Sequence, residues 1–175
     1  ALRPDMKIIL GGPHVTLTHS AVKLEQKKGR VSRAHHAYER LQTYADVLVS
    51  GDGDLAIFEA LRPDAPRLVD GDDPQGGLFL DNKTYDATPF PARHLVDMSS
   101  YHYEIEGHRS TSLIAQLGCP FSCGFCGGRN SKSLRVIRTR TTESILAEIK
   151  HLHESYGFTG FMFYDDELNV DRSMV

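Results

Sequence analysis

The sequence predicts an α/β fold in which parallel strands alternate with helices. Three observations carry this prediction: short apolar strands at 7–10, 46–50 and 160–164, apolar residues at helical spacing between them, and glycine or acidic turns where the strands end. This order along the chain favours a parallel sheet with helices on its faces. The hydrophobic content of 40% is typical of a globular protein.

Two strand-to-turn junctions mark the first half of the chain. Segment 7–10 runs into Gly11-Gly12-Pro13-His14, and segment 46–50 runs into Gly51-Asp52-Gly53-Asp54. Glycines at the carboxyl ends of parallel strands would leave bare backbone in the crevice where open α/β sheets bind ligands. Taken singly, each glycine pair is better explained as an ordinary tight turn.

The helices of this half are predicted from apolar spacing and capping. One is expected over about 20–44, broken or kinked at Gly29, and another over 55–61 with Asp54 as its N-cap. Further along, 77–80 and 83–85 resemble a small hairpin around Asp81-Asn82. The scattered Pro, Gly and Asp after residue 62 indicate a connection between domains.

A second α/β pattern begins at residue 112. A strand over 112–117 leads into a loop, and a helix over 143–156 follows, with Thr142 as its cap and Gly157 at its end. The strand over 160–164 is apolar on both faces, as buried parallel strands are. Directly after it come three acidic residues, Asp165, Asp166 and Glu167.

The loop after the strand over 112–117 holds the three cysteines of the chain, in the order Cys119-Pro120-Phe121-Ser122-Cys123-Gly124-Phe125-Cys126. Neighbouring glycines would let the backbone approach a bulky inorganic group. Three thiolates leave one iron of a [4Fe–4S] cluster open, and the amino and carboxylate groups of S-adenosylmethionine suit that position. One electron passed to the sulfonium would break its carbon–sulfur bond and give a 5′-deoxyadenosyl radical.

A structural zinc site is the alternative for the same cysteines. A histidine such as His102 or His108 could complete a tetrahedral shell with them. Zinc knuckles generally use paired CxxC units, and this sequence has no second pair. The iron–sulfur cluster is therefore favoured.

Charge and hydropathy exclude two classes of partner. Lys and Arg total 20 against 23 Asp and Glu, a net charge of −3, so no global positive field is available to hold nucleic acid. No apolar run approaches the roughly 18 to 20 residues that span a bilayer, and the start does not resemble a signal peptide. We expect a cytoplasmic protein, where cysteines stay reduced.

The cysteine motif, with the aromatic Phe125 just before its last cysteine, resembles the signature of the radical S-adenosylmethionine (SAM) superfamily. The resemblance runs from about Thr111 to the end of the chain. It implies a TIM-like (β/α) barrel with the cluster at its mouth and Phe125 beside the adenine. Plain packing within the loop is the alternative for Phe125. The implied cluster ligands are Cys119, Cys123 and Cys126.

The acids after the last predicted strand stand where that superfamily often has a Gly-Gly-Glu-like motif for the methionine amino group. By resemblance, Asp165, Asp166 and Glu167 would contact the cofactor. Their sequence departs from the motif, and an exposed loop or a helix N-terminus explains these acids equally well.

The two glycine junctions resemble the last two strand-to-turn junctions of the cobalamin-binding domain in B12-dependent radical SAM enzymes. The second junction is more often Gly-Glu-Gly-Glu in that family, so aspartate is a mild departure. Pro91-Ala92-Arg93 and the region of Tyr101 resemble the linker into the barrel. The implied cobalamin contacts are Gly11, Gly12, Gly51 and Gly53.

The resemblance implies three segments. Residues 1–84 would be the C-terminal part of a Rossmann-like cobalamin-binding domain, 85–111 an interdomain linker, and 112–175 the first βαβ unit of the barrel. Because most of the barrel would be missing, we expect a fragment that performs no catalysis alone and whose substrate is unknown.

The function implied for the whole enzyme is methyl transfer to an unactivated carbon, with methylcobalamin as donor and an external electron donor such as flavodoxin or ferredoxin. A radical SAM enzyme without cobalamin, performing rearrangement, cyclisation or methylthiolation, is the first alternative. A zinc- or cluster-stabilised binding module without turnover is the second.

Overall fold

The computed structural model describes residues 6–170, which form two compact units. The first contains the described residues up to Leu80 together with Pro120–Val136, and the second contains Asp81–Cys119 and the described residues from Ile137 onward. Both units are α/β, as predicted. The segment limits 1–84, 85–111 and 112–175 stay predictions. Within residues 6–170, no helix has the length and apolar character needed to cross a membrane.

The first unit is a three-stranded parallel sheet with strand order β1-β2-β3. Ile9 lies opposite Val47, and Leu48 lies opposite Leu68. A 3-10 turn at Gly127–Asn130 also belongs to this unit. The elements in chain order are β1 (Ile9–Leu10), α1 (Pro13–Lys27), α2 (Arg33–Tyr44), β2 (Val47–Gly51), α3 (Gly53–Leu61) and β3 (Leu68–Gly71).

Helices cover both faces of this sheet, with β2 at its centre. Val47 and Val49 point to one face and pack in a cluster with Ala56 of α3, while Leu48 points to the other and packs with Val15 of α1. All five side chains are buried. The continuous apolar run in β2 is thus explained by burial on two faces, as expected for a parallel strand.

Helix α1 begins seven residues earlier than predicted. Gly12 precedes it with a φ of 84°, and Pro13 occupies its first turn, where the missing proline N–H costs no helical hydrogen bond. The backbone N–H of Thr16 donates to the carbonyl of Gly12 at 3.1 Å. The predicted break at Gly29 is confirmed, since that residue has a φ of 63° and separates α1 from α2.

Two further predictions for this unit were wrong or incomplete. The N-cap of α3 is Asp52, whereas Asp54 lies in its first turn. The Asp52 carboxylate accepts a hydrogen bond from the backbone N–H of Leu80 at 3.1 Å instead of capping the helix. Strand β3 was missed, because its sequence supplies just two apolar residues, Leu68 and Val69, and its strand character comes from pairing with β2.

Glu25 in α1 stabilises the start of α2. Its buried carboxylate accepts hydrogen bonds from the hydroxyl and backbone N–H of Ser32 and from the backbone N–H groups of Ala34 and His35, the last two at 3.1 Å. The Ser32 hydroxyl is the largest cause that lowers the pKa of Glu25 to about 2, against an opposing effect of burial. The carboxylate thus satisfies helical N–H groups that would otherwise lack partners.

Replacing this residue, Glu25→Gln, is expected to weaken the acid dependence of folding stability. The native carboxylate contributes fully above its unfolded pKa near 4.5, and the contribution is lost as the pH falls towards about 2. Urea denaturation followed by circular dichroism near pH 7 and pH 3 measures this difference. The exposed Glu154→Gln serves as control. Equal acid destabilisation of the wild type and Glu25→Gln would contradict the assignment.

The second unit contains a βαβ arrangement. Strands β5 and β8 pair in parallel, with Ser110 opposite Gly160 and Leu113 opposite Phe163, and α5 lies between them in sequence. β4 adds an antiparallel edge, and β6 pairs with β7 separately. The elements are α4 (Asn82–Asp86), 3-10 turns at Arg93–Leu95 and Met98–Ser100, β4 (Glu104–Ile105), β5 (His108–Leu113), β6 (Gln116–Leu117), β7 (Arg138–Thr139), α5 (Thr142–Tyr156) and β8 (Gly160–Phe163).

Here α5 and β8 are confirmed as elements, and Gly157 ends the helix with a left-handed φ of 71°. The expected burial of the last strand on both faces is wrong, because Met162 is exposed. The N-cap of α5 is Thr141 rather than Thr142, with its hydroxyl accepting from Ser144 N at 3.2 Å. The predicted hairpin around residues 81–82 was wrong. The Asp81 carboxylate instead accepts from Thr84 N at 2.7 Å and caps α4.

Candidate functional site

The cysteine loop begins where β6 ends, after Gly118, whose φ is 84°. Cys119 belongs to the second unit, while Cys123 and Cys126 belong to the first. The backbone N–H of Cys126 donates to the carbonyl of Cys123 at 3.1 Å, and a 3-10 turn follows. None of the three forms a disulfide; Cys123 is exposed and the other two cysteines are half-buried.

Two glycines after the last cysteine have tight surroundings. A Cβ on Gly128 would lie 3.1 Å from Leu134 Cδ1 and 3.6 Å from Cys126 Sγ, and a Cβ on Gly127 would lie 3.4 Å from Leu17 Cδ1. Packing within the chain therefore accounts for Gly128. Gly124 has no neighbour within 4 Å of its Cβ position, which leaves bare backbone beside Phe125.

Phe125 is the most exposed of the large apolar side chains described, with 94% of its surface accessible. Phe121, on the same loop, is 54% exposed. Neighbouring exposed aromatic side chains are typical of surfaces that meet a ligand or partner, whereas isolated apolar residues on a surface need no explanation. The position of Phe125 is compatible with stacking on a flat ring.

The donor set of the loop suits an iron–sulfur cluster chemically, because soft thiolates are the protein ligands of such clusters and of zinc. Among residues 6–170, no three His, Cys, Asp or Glu side chains are gathered into a metal-holding group. Two histidines are candidates for the fourth ligand of a zinc site. His102 is exposed, and His108 in β5 has its Nδ1 3.4 Å from Thr159 Oγ1.

The acids after β8 have three different environments. Asp165 is half-buried and accepts hydrogen bonds from the backbone N–H groups of Ala115, at 3.1 Å, and of Gln116. Burial raises the pKa of Asp165, and those hydrogen bonds oppose the shift. Asp166 is exposed and Glu167 is half-buried. By accepting these hydrogen bonds, the Asp165 carboxylate stabilises the short break between β5 and β6. The strand predicted to run continuously over 112–117 is therefore divided into two.

Gln116 lies beside these acids and carries an unusual buried acceptor. Its Nε2 donates to the carbonyl of Glu167 at 2.5 Å, while its Oε1 has no hydrogen-bond donor within the described part of the chain. The side chain is 1% exposed. A buried amide oxygen without a partner costs folding free energy, because it has lost its hydrogen bonds to water.

The four glycines predicted to contact a cofactor divide into two groups. A Cβ on Gly51 would lie 2.3 Å from the backbone of residues 71–72, and one on Gly11 would touch Val49 Cβ at 3.4 Å. Gly12 and Gly53 have nothing within 4 Å of that position. Close packing of strand ends therefore explains Gly51 without any ligand, whereas Gly12 and Gly53 present open backbone.

A buried polar cluster in the first unit was not predicted. His19 Nδ1 lies 3.0 Å from the buried Ser50 Oγ, and the His19 ring stacks on Tyr38 with centroids 5.7 Å apart. Burial lowers the pKa of His19, and the charge of Lys23 adds to the shift while Asp70 and Asp72 oppose it. No spacing pattern in the sequence indicates this cluster, because its members come from separate elements.

A buried ion cluster in the second unit was also missed. Glu148 on α5 accepts from Arg93 Nη1 at 2.8 Å and from Arg140 Nη1. Arg93 also donates to the carbonyl of Ser112 in β5 at 3.2 Å. The Pro91-Ala92-Arg93 segment, first noted for its resemblance to a linker, is therefore bound to the βαβ arrangement by an ion pair.

Comparison with known proteins gives distant enzyme relatives. The chain is 26% identical to an uncharacterized methyltransferase of Pyrococcus horikoshii, over 98% of this chain and 36% of the relative. It is 27% identical to the cytidylyl-2-hydroxyethylphosphonate methyltransferase of Streptomyces wedmorensis, over 67% of this chain and 22% of the relative. It is 26% identical to the anaerobic magnesium-protoporphyrin IX monomethyl ester cyclase of Cereibacter sphaeroides, over 97% and 27%.

No family profile and no solved structure matches the sequence. The alignments span 22% to 36% of the lengths of these relatives. The chain is thus distantly similar to part of much longer enzymes, two of which are named methyltransferases and one a cyclase.

Proposed function

We propose that this chain is the cluster-binding part of a radical SAM enzyme, in which Cys119, Cys123 and Cys126 hold a [4Fe–4S] cluster. The observation that carries the proposal is the CxxxCxxC loop that directly follows β6. Its three thiolates leave one iron for the cofactor. Distant similarity to methyltransferases and a cyclase supports an enzymatic role.

Other residues of the chain are proposed to bind SAM. The exposed Phe125 would stack on the adenine ring. The half-buried Glu167 would accept a hydrogen bond from the methionine ammonium. The exposed Asp166 would place a second carboxylate near the methionine ammonium. Asp165 would act indirectly, by stabilising the break between β5 and β6. When bound, the cluster supplies the electron for reductive cleavage of SAM.

For the whole enzyme we propose methyl transfer to an unactivated carbon, with cobalamin as methyl carrier and flavodoxin or ferredoxin as electron donor. The names of two relatives support methyl transfer. The open backbone at Gly12 and Gly53, at the carboxyl ends of parallel strands, supports a large ligand at this edge. Cyclisation without cobalamin is the alternative that the third relative favours.

Anaerobic reconstitution of the full chain with iron and sulfide tests the cluster. We expect about four irons and four sulfides per chain, by the stoichiometry of a [4Fe–4S] cluster. Each of Cys119→Ala, Cys123→Ala and Cys126→Ala should remove most of the bound iron, whereas Ser122→Ala in the same loop should not. Stoichiometric zinc without iron uptake would favour the structural zinc site instead.

Cobalamin binding is tested separately with hydroxocobalamin and the apoprotein. Gly53→Leu places a side chain in open space at the first position of α3 and should leave the fold intact. We expect the wild-type chain to retain corrinoid absorbance after gel filtration, and Gly53→Leu to retain at least several-fold less. If the wild type retains none, the cobalamin-free alternative replaces this part of the proposal.

A further inference from the structure

Asp72, the residue after β3, is a buried carboxylate within the first unit. Its Oδ1 accepts hydrogen bonds from Ser131 Oγ at 2.6 Å, Ser133 Oγ at 2.7 Å and Ser133 N at 2.8 Å. Its side chain is 2% exposed, and both serines are buried as well. An ionised carboxylate acts as acceptor alone, and its charge strengthens the hydrogen bonds that these three donors make to one oxygen.

The serines held by Asp72 lie on the segment that follows the last cysteine. Ser131 Oγ also accepts from the backbone N–H of Leu134 at 3.3 Å. The Leu134 side chain packs against Gly128, where a Cβ would lie 3.1 Å from Leu134 Cδ1 and 3.6 Å from Cys126 Sγ. Asp72 therefore holds the segment 131–134, and Leu134 of that segment and the Cys126 thiol both lie close to Gly128.

The other side of this segment is held by α1. The Cβ position of Gly127 lies 3.4 Å from Leu17 Cδ1, and the 3-10 turn at Gly127–Asn130 packs on that helix. The backbone beyond Cys126 is thus held at two places, by apolar packing on α1 and by hydrogen bonds at the end of β3. The hydrogen bonds have a carboxylate as acceptor, and a charged acceptor strengthens hydrogen bonds.

We infer that Asp72 is a positioning residue for Cys126. By holding Ser131 and Ser133, its carboxylate fixes the turn that carries the Cys126 thiol before any metal binds. The expected effect of Asp72 on a bound cluster rests on the proposed function, in which Cys126 is a ligand of the cluster. The positioning itself rests on contacts within the first unit and is measurable in the metal-free chain.

The test compares Asp72→Asn with Asp73→Asn in the reduced, metal-free full chain. Asp73 is exposed, and its carboxylate accepts from Gln75 N at 3.0 Å within a turn, which makes it a matched control one residue away. The alkylation rate of each cysteine is followed by peptide mass spectrometry, and amide hydrogen exchange is followed over 131–134. The neutral amide oxygen of Asp72→Asn should weaken the hydrogen bonds from Ser131 and Ser133, and we expect Cys126 alkylation and this exchange to accelerate about tenfold.

The same variants then receive iron and sulfide. Asp72→Asn should bind a cluster whose electron paramagnetic resonance spectrum differs from the wild type, and Asp73→Asn should match the wild type. If Asp72→Asn does not fold, Ser131→Ala removes one of the three bonds and should act in the same direction.

Unchanged Cys126 alkylation and exchange in Asp72→Asn, or in Ser131→Ala if the first does not fold, would overturn the inference. Equal acceleration at Cys119, Cys123 and Cys126 would also overturn it, because that result indicates general loosening. If the wild type takes up no iron, the cluster proposal fails, and the alkylation and exchange rates alone decide whether Asp72 positions Cys126.

Discussion

Glu148→Ala is expected to destabilise the second unit by about 3 to 5 kcal/mol, the usual cost of removing one partner of a buried ion cluster. Glu148 is 1% exposed, and its two carboxylate oxygens accept from Arg93 and Arg140, respectively. Without the carboxylate, the buried Arg140 and the partly buried Arg93 would both lose their counter-charge. Urea denaturation followed by circular dichroism gives the total loss, and hydrogen exchange in α5 assigns it to this unit.

A control on the same helix distinguishes the stability lost with the ion cluster from any change in helix propensity. Glu154→Ala makes the same substitution at an exposed site, where Glu154 lies 3.9 Å from Lys150. Such a surface pair contributes about 0 to 1 kcal/mol, so this variant should resemble the wild type. Similar losses for Glu148→Ala and Glu154→Ala would contradict the assigned role of Glu148.

The second large effect is expected for Gly51→Ala. The new methyl carbon would lie 2.3 Å from backbone atoms of residues 71–72, and the residue has a φ of 85°, which alanine rarely adopts. Backbone overlap and the left-handed conformation should together cost about 3 kcal/mol or more. The loss should appear in the apoprotein, in urea denaturation without any corrinoid.

Gly53→Ala is the matched control for this substitution. Gly53 lies two residues further, at the first position of α3, with open space at its Cβ position. Alanine there should leave stability within about 1 kcal/mol of the wild type. If Gly51→Ala is as stable as Gly53→Ala, then the close packing of β2 on β3 is not the reason for a glycine at position 51.

The elements that sequence alone predicted are those with their own local signals. β2 and β8 are short, continuously apolar runs, and α5 combines helical apolar spacing with an N-terminal threonine cap and a C-terminal glycine. The parallel pairing of β1 with β2, and of β8 with β5, follows from the alternation of strands and helices along the chain. These features do not depend on which partner each element finds.

The elements that were missed or misplaced depend on partners. β3 has two apolar residues and becomes a strand by pairing with β2. α4 forms because the Asp81 carboxylate caps it, although the sequence around it also suits a hairpin turn. The break between β5 and β6 is set by Asp165, which lies 50 residues from Ala115.

The residues of the candidate site also differ in whether the sequence alone reveals them. The three cysteines and their spacing are read directly from the sequence, because the number and type of ligands indicate the kind of metal site without knowledge of the fold. The role of Asp72 is not visible, since it is one of several acids in Asp70-Gly71-Asp72-Asp73, and its partner Ser131 lies 59 residues away. Composition cannot tell which carboxylate of such a run is buried.

The most direct test of the central claim is the electron paramagnetic resonance spectrum of the reconstituted, reduced chain, recorded with and without SAM. We expect a reduced [4Fe–4S] signal whose g values change when SAM is added, because the cofactor would bind the iron that the three cysteines leave open. The cysteine-to-alanine variants should lose this signal. A spectrum identical with and without SAM, or a chain that holds stoichiometric zinc and no iron, would contradict the account.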